Sequence, residues 1–414
     1  MYEIEGVEVF AAEHASHEGF SPRFGVWKPR LRLVSDELAT PRPEISHLLP
    51  ASNVIDFRVP GILWRGFASL GESLANVTFE TLWAMHQLGV SDRVRFAAVR
   101  PGVAWYPDER FEPRASLLRT LANQTVSPIE VEVQVPSLLP REHQPCVRFF
   151  FHEFGYLPEG AGPLEDGDTV WAPSSAVAES LAAALPGRRV IWAPHGVNLE
   201  VFNPRVEPTP GLDDPRFKFL YVGTTISRKG IDILLDAYLA EFAPSEPATL
   251  VIKAFPTTAG FVWREELERL APRVVLFEDI LYPAQVAGVM RGCQVIVAPY
   301  RAEGFCLPVL EAMACGLPAI VPSGGATDDF CSDESCWRID THEVRQGGGG
   351  GEGQAGGGLR FLEPDVASLR RLMRRAFEGR SEVAQKGRAA AEQAARFSWQ
   401  RVTAHLLREL AGLV

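Results

Sequence analysis

Apolar and polar positions along this chain fall into two series of alternating strand and helix patterns, separated by a stretch that fits neither. The first series starts near Gly61 with ILWRGFA, a short apolar strand. LANVTFETLWAMHQLG follows with apolar residues at helical spacing and Gly89 as its C-cap, and RVRFAAV is the next strand. A helical segment around Ala115–Ala122 leads to IEVEVQV, which alternates as a half-exposed strand does. CVRFFFHE, DTVWAPS and RVIWAPHGV are three more strands, the last two separated by the helical AVAESLAAAL. HGVNLEVFNPRVEPTPGLDDPRFK, rich in Pro, Gly and Asn, breaks the pattern as a linker would. The second series then opens with the buried strand FKFLYVG and the amphipathic helix KGIDILLDAYLAEF. ATLVIKAF, RVVLFED, QVIVAPY and LPAIVPS are its further strands; REELERL, PAQVAGVMRG and PVLEAMACG are its further helices. Such alternation predicts the α/β class: two doubly wound, mostly parallel sheets with a cleft between domains.

Length agrees, since 414 residues exceed one ordinary core. The expected division is an N-terminal extension of uncertain structure over 1–58, a first domain over 59–200, a second over 201–395 and a closing helix over 396–414. Pro41, Pro43 and Pro50 interrupt the extension. Inside the second domain QGGGGGEGQAGGG, residues 346–358, has no phosphate-loop spacing and reads as a flexible surface loop. The net charge of -11 argues against coating a nucleic acid, whose phosphates reward a basic surface. Six cysteines without CxxC pairs or zinc-like spacing predict free thiols in a reducing cytoplasm. The first residues show no signal-peptide pattern and no stretch is long enough to span a membrane, so a cytoplasmic location is expected. Arg370, Arg371, Arg374 and Arg375 form a basic stripe, either a solvated helix face or a peripheral membrane attachment.

Two segments concentrate the chemistry. In APYRAEGFCLPVLEAMACG, Glu303 sits in a loop just after an apolar strand and Glu311 in the first turns of a helix. Open α/β sheets bind ligands at that strand end. Pro308 suits the first helical position and Gly316 the C-terminal cap, which leaves free N–H groups near Gly304, Phe305 and Cys306 for sugar or phosphate oxygens. In YVGTTISRKGIDILLDAY, Gly223, Thr224 and Thr225 follow a buried strand, and Arg228 and Lys229 stand just before a helix. Positive charge there opposes the helix dipole, a local mismatch that a diphosphate would resolve. Lys253 ends the strand LVIKAF on the same sheet edge. In the first half, Gly71 of SLGES could let backbone approach a ligand, and His152 and Glu153 end the strand CVRFFFHE. His152 is equally readable as a core histidine, and His195 of APHGVN as a structural residue of the linker. Asp213-Asp214 and Asp328-Asp329 lack alternating DxD-type spacing, so neither a metal nor another cofactor is expected.

These segments resemble the retaining glycosyltransferases of group 1, or family 4, whose fold is GT-B: two Rossmann-like domains facing across a cleft. EGFCLPVLEAMACGLPAIVPSGG is similar to their most specific signature and VGTTISRKGIDILLDAY to their phosphate-binding turn. WAPHGVNLEVFNP resembles their interdomain segment, and FSWQRVTAHLLREL their closing helix, which crosses back onto the first domain. The resemblance implies that Glu303 contacts the donor sugar beneath its anomeric carbon and that Gly304, Phe305 and Cys306 donate backbone N–H bonds. It implies that Glu311 holds the ribose, that Lys229 and Arg228 bind the diphosphate, and that His152 lies near the sugar. The family often has arginine right after the first glycine of the turn; here Thr224 stands there, with Arg228 as a replacement charge. The implied partners are a UDP- or GDP-sugar donor and a glycan or lipid-linked acceptor. The competing expectations are a nucleotide-sugar-binding protein without turnover and a GT-B nucleotide-sugar epimerase.

Overall fold

A computed structural model describes residues 32–33, 45–66, 73–98, 112–124, 129–133, 146–149, 164, 167–255, 267–270, 272–279, 281–346 and 359–414. They divide into two compact units. One gathers the described parts of Met1–Thr40, Val201–Glu303 and Glu311–Gln393; the other those of Pro41–Glu200, Gly304–Leu310 and Ala394–Val414. The first described strand, β1 (Arg32–Leu33), belongs to the former.

The unit containing Pro41–Glu200 is built on β2 (Ile62–Gly66), β3 (Val94–Ala98), β4 (Ile129–Val133), β5 (Cys146–Phe149), β6 (Thr169–Ala172) and β7 (Val190–Trp192). All pairings are parallel, in the order β3-β2-β4-β5-β6-β7. Helices α1 (Ser73–Gln87), α2 (Glu112–Ala122) and α3 (Ser175–Ala184) lie between successive strands in the chain. Buried Ile62, Leu63 and Trp64 hold β2 in the core, where the Trp64 ring meets Trp171 edge-on at 6.0 Å. Ser174 starts α3 by accepting the Val177 N–H at 3.3 Å, the usual N-cap arrangement.

The other unit carries β8 (Phe217–Gly223), α4 (Ile231–Glu241), β9 (Ala248–Ala254), β10 (Val274–Phe277), α5 (Pro283–Arg291), β11 (Val295–Val297), α6 (Leu307–Ala314), β12 (Ala319–Pro322) and β13 (Cys336–Ile339). Its strands are again all parallel, in the order β10-β9-β8-β11-β12-β13. Relabelled by position this is 3-2-1-4-5-6, the doubly wound order whose direction reverses between the first and fourth strands. β8 and β11 are therefore neighbours, and the chain leaves both at the carboxyl edge of the switch point. The expected α/β class with two parallel sheets is what the chain adopts.

Three features go beyond the sequence pattern. β13 adds a sixth strand, its Trp337 and Ile339 buried in the core. β14 (Thr341–Gln346) and β15 (Leu359–Pro364) form an antiparallel pair that flanks the glycine-rich run, most of which lies outside the described residues. β1 pairs with the outer edge of β14, Arg32 opposite Arg345, so a piece of the N-terminal extension joins a three-stranded sheet.

Helices α7 (Val366–Glu378), α8 (Arg380–Ala394) and α9 (Trp399–Ala411) complete the chain. α7 buries Leu369, Met373 and Ala376 at helical spacing and turns its arginines outward. Each arginine of the stripe meets a carboxylate: Arg370 and Arg374 meet Glu241 at 3.1 and 2.9 Å, Arg371 meets Asp340 at 3.2 Å, and Arg375 meets Glu382 at 3.0 Å. A stripe matched this way does not present the unbalanced positive charge that draws a segment to anionic lipid. Among the described residues no helix is long and apolar enough to cross a membrane. α9, capped by Ser398, packs on α1, where Gln400 donates to Gln87 at 2.6 Å.

Candidate functional site

The two chemistry-bearing segments meet at the switch point. The turn after β8 ends in a short 3-10 helix, Ser227–Lys229, closed by Gly230 in the left-handed region at φ 71°. Gly230 also packs so closely that an added Cβ would lie 1.9 Å from the Pro299 carbonyl oxygen, at the end of the neighbouring strand's exit. Only glycine meets both demands. The turn and the post-β11 loop are then laced together. The Arg301 N–H donates to the Arg228 carbonyl at 2.8 Å, and Arg228 Nη1 donates to the Ala302 carbonyl at 2.8 Å. Lys229 Nζ donates to Glu303 Oε1, and Arg228 Nη1 lies 3.7 Å from Glu303 Oε2. The Glu303 side chain is 6% exposed, so its carboxylate is stabilised by these two cations rather than by bulk water.

Beyond Glu303 the chain makes a tight bend. Cys306 has φ 70°, the sole non-glycine positive φ among the described residues, and its carbonyl accepts the Val309 N–H at 3.0 Å as α6 begins. The helix starts at Leu307, so Pro308 takes its second position rather than its first. Phe305 is buried and meets the His195 ring edge-on at 5.2 Å. Glu311 is half-buried in the second turn of α6.

The remaining predicted residues are placed differently. Gly223 ends β8, and Thr224 follows with its carbonyl accepting the Tyr221 hydroxyl at 2.7 Å. Thr225 is half-buried in the same turn. Lys253 is the next-to-last residue of β9, on the expected edge, yet its ammonium is buried, donating to the Ala254 carbonyl at 2.6 Å over the Phe255 ring. Burial lowers its pKa, with Asp279 opposing. It does not join the Lys229–Glu303 cluster. Gly71, His152 and Glu153 lie outside the described residues.

The carboxyl edge of β8 and β11 therefore presents two cations, a carboxylate and a turn rich in backbone N–H groups. Residues 216–343 match the family model described as Glycosyl transferases group 1. The unit built on β8–β13 carries a group 1 glycosyltransferase domain. The chain is 26% identical over 234 residues to a D-inositol 3-phosphate glycosyltransferase of Segniliparus rotundus, covering 54% of this chain and 47% of that protein. A lipopolysaccharide core biosynthesis mannosyltransferase, LpsB, of Rhizobium meliloti is 28% identical over 150 residues, 34% of this chain and 42% of its own length. The chain thus spans about half the length of the curated relatives it matches. Among solved structures, sucrose-phosphate synthase of Thermosynechococcus elongatus superposes with TM-score 0.59 at 17% identity, over 86% of this chain and 100% of that one. Anabaena Alr3699/HepE in complex with UDP-glucose gives TM-score 0.57 at 15% identity, over 85% and 99%. These neighbours share the GT-B fold.

Two residues of the group 1 domain escaped the sequence reading, Arg301 and Gly230. The signal for Gly230 was its place between a basic turn and a helix. For Arg301 there was only its position two residues before Glu303. His195, read from the sequence as a structural residue of the linker, is packed among aromatic rings. It sits in the unit containing Pro41–Glu200, boxed by Phe149, Trp171, Phe305 and Trp399. Its Nδ1 finds no hydrogen-bond partner among the described residues, and burial lowers its pKa to about 3.

That burial has a pH consequence. Between about 6.5 and about 3 the unfolded chain holds a proton on this imidazole that the folded chain refuses. More protons on the unfolded state mean that stability rises with pH through this window and is complete above it. The expected loss on acidification is up to about 1.4 kcal/mol per pH unit from this group. Urea unfolding at pH 7 and pH 5.5 checks it: His195→Phe flattens the difference, and an equal drop in both chains counts against this assignment.

A cavity of ≈ 530 Å³ lies elsewhere, lined by Glu241, Arg371, Arg374, Arg375, Glu378 and Glu382. Its charges largely pair with one another, and none of the Lys229–Glu303 cluster borders it.

Proposed function

We propose that this protein is a retaining glycosyltransferase that moves a hexose from a nucleoside-diphosphate sugar to a hydroxyl of a glycan or lipid-linked acceptor. The observation that carries the reading is the Lys229–Glu303 pair at the switch point, with Arg228 beside it. A sugar nucleotide supplies what this edge lacks: a diphosphate for the cations and sugar hydroxyls for the carboxylate. Lys229 pairs with Glu303, and in this reading a donor diphosphate is a second anionic partner for the same ammonium. The Glu303 carboxylate would accept hydrogen bonds from the sugar. The group 1 domain supports the reading, as do the relatives named glycosyltransferase and mannosyltransferase and the neighbour solved with UDP-glucose.

In this reading Arg228 and Lys229 stabilise the charge that grows on the departing phosphate as the anomeric bond breaks. The acceptor oxygen forms its bond on the same face, and its proton passes to the leaving phosphate oxygen. The chain's contribution is positioning and fixed positive charge. Glu311 holds the ribose, and the N–H groups of Gly304, Phe305 and Cys306 hold sugar or phosphate oxygens. No metal ion is assigned to the reaction.

A panel of UDP- and GDP-sugars read by thermal melting tests the donor, because selective binding to the folded chain raises the melting temperature. A hundredfold excess over Kd contributes about 2.7 kcal/mol. NMR of the product's anomeric proton then tests retention. The reading is lost if no nucleotide sugar stabilises the protein and none releases its nucleotide, and retention is lost if the product is inverted.

A further inference from the structure

Arg301 is buried, with a side chain 4% exposed, and its guanidinium bonds to none of the residues assigned above to the donor. Each nitrogen of its guanidinium is used. Nε and Nη2 donate to the two oxygens of Glu363 at 2.7 and 3.0 Å. Nη1 and Nη2 donate to the two oxygens of Asp232, both at 2.9 Å, and Nη1 also to the Ser227 carbonyl at 2.6 Å. One planar group thus joins the turn carrying Arg228 and Lys229, the first turn of α4 and strand β15. Its own backbone continues the bracing: the N–H reaches Arg228, and the carbonyl accepts the Leu362 N–H at 2.8 Å. Burial opposes its charge, but Asp232 and Glu363 more than offset this and hold its pKa above the ordinary range.

We propose that Arg301 is a positioning residue: it sets the distance between the Glu303 carboxylate and the Arg228–Lys229 turn, and it makes that distance depend on the β14–β15 sheet. A buried ion cluster is a poor device for stability alone, because desolvation consumes most of the Coulomb gain. Its specific property is geometry. A guanidinium fork grips two carboxylates in a fixed plane, and a lysine ammonium cannot. Glu303 lies two residues farther along a loop held at Arg301 on both sides, so a shift of the fork moves the carboxylate. β1 pairs with β14, so Arg32–Leu33 belong to the same bracing sheet.

The proposal rests on the transfer reading, and its test separates the two. Full-length wild type, Arg301→Lys and Glu363→Gln are compared by amide hydrogen exchange and by nucleotide release from the wild type's best donor in the UDP- and GDP-sugar panel. Both variants speed exchange across 224–232, 300–303 and 359–364, and leave the described parts of Pro41–Glu200 unchanged. Arg301→Lys lowers kcat about tenfold to hundredfold with KM for the donor within about threefold, as expected when reacting groups are misplaced but still present. Glu363→Gln, partly exposed and less disruptive, lowers kcat in the same direction by less. Unchanged exchange in those segments overturns the bracing. Faster exchange with unchanged kcat makes Arg301 merely structural and overturns the positioning role. A wild-type chain that releases nucleotide from no donor sinks the transfer reading instead, while the exchange pattern still decides the bracing.

Discussion

Lys229→Ala lowers nucleotide-sugar turnover by about 10²–10³-fold, the range seen when one fixed group facing a developing oxyanion is removed. Lys229 projects from a turn closed by Gly230 and is held against the carboxylate of Glu303. It has no long loop to reorganise before it meets a diphosphate, which is why its removal falls on the rate. Stability changes less. The Lys229 side chain is 21% exposed, so its pairing is already screened, and Arg228 remains 3.7 Å from the second Glu303 oxygen. Steady-state nucleotide release beside a melting curve separates the two effects. Lys229→Arg restores part of the rate by restoring charge without the same reach. Turnover within about threefold of wild type in Lys229→Ala would remove the basis for the donor assignment.

Gly230→Ala costs stability and activity together. A side chain at φ 71° carries a left-handed penalty of about 1–2 kcal/mol. The added methyl would also meet the Pro299 carbonyl oxygen at 1.9 Å, a backbone atom that no rotamer change can move. Relief requires separating the β8 turn from the β11 exit, an overpacking strain of about 1–3 kcal/mol. The expected total is about 2–5 kcal/mol by denaturant unfolding. The same separation pulls Lys229 away from Glu303, so residual folded protein has impaired donor binding. A loss below about 1 kcal/mol with wild-type affinity would show that the two segments are not packed as described.

Much of this architecture was legible along the chain. The strand ILWRGFA became β2, QVIVAPY became β11, and the helix in KGIDILLDAYLAEF begins at Ile231 after a glycine. Period and punctuation are local properties, and local sequence carries them. β14 and β15 were hidden because a glycine-rich run separates two short segments whose strand form comes from pairing across that run. β1 was hidden more deeply: two residues, Arg32 and Leu33, gain their conformation from a partner more than three hundred positions away. The basic stripe on α7 was visible as charge, but its partners Glu241, Asp340 and Glu382 come from other elements.

The candidate site divides along the same line. Composition around Glu303 and around Arg228–Lys229 marked two loops that each suit an anionic or sugar ligand, and the residue types were fixed by sequence alone. Their meeting was not. Lys229 and Glu303 are 74 residues apart and touch because β8, paired with β9 on one side, takes the distant β11 on its other side. Strand order is a global choice, made by which apolar faces bury best together, and no local pattern encodes it. The same holds for Arg301. As a residue it is one arginine in a loop; its role arises when Ser227, Asp232 and Glu363 converge on one buried plane. Sequence determined which groups were available at the strand ends. The tertiary structure decided which of them share a place, because only close approach out of water makes a charge pair specific.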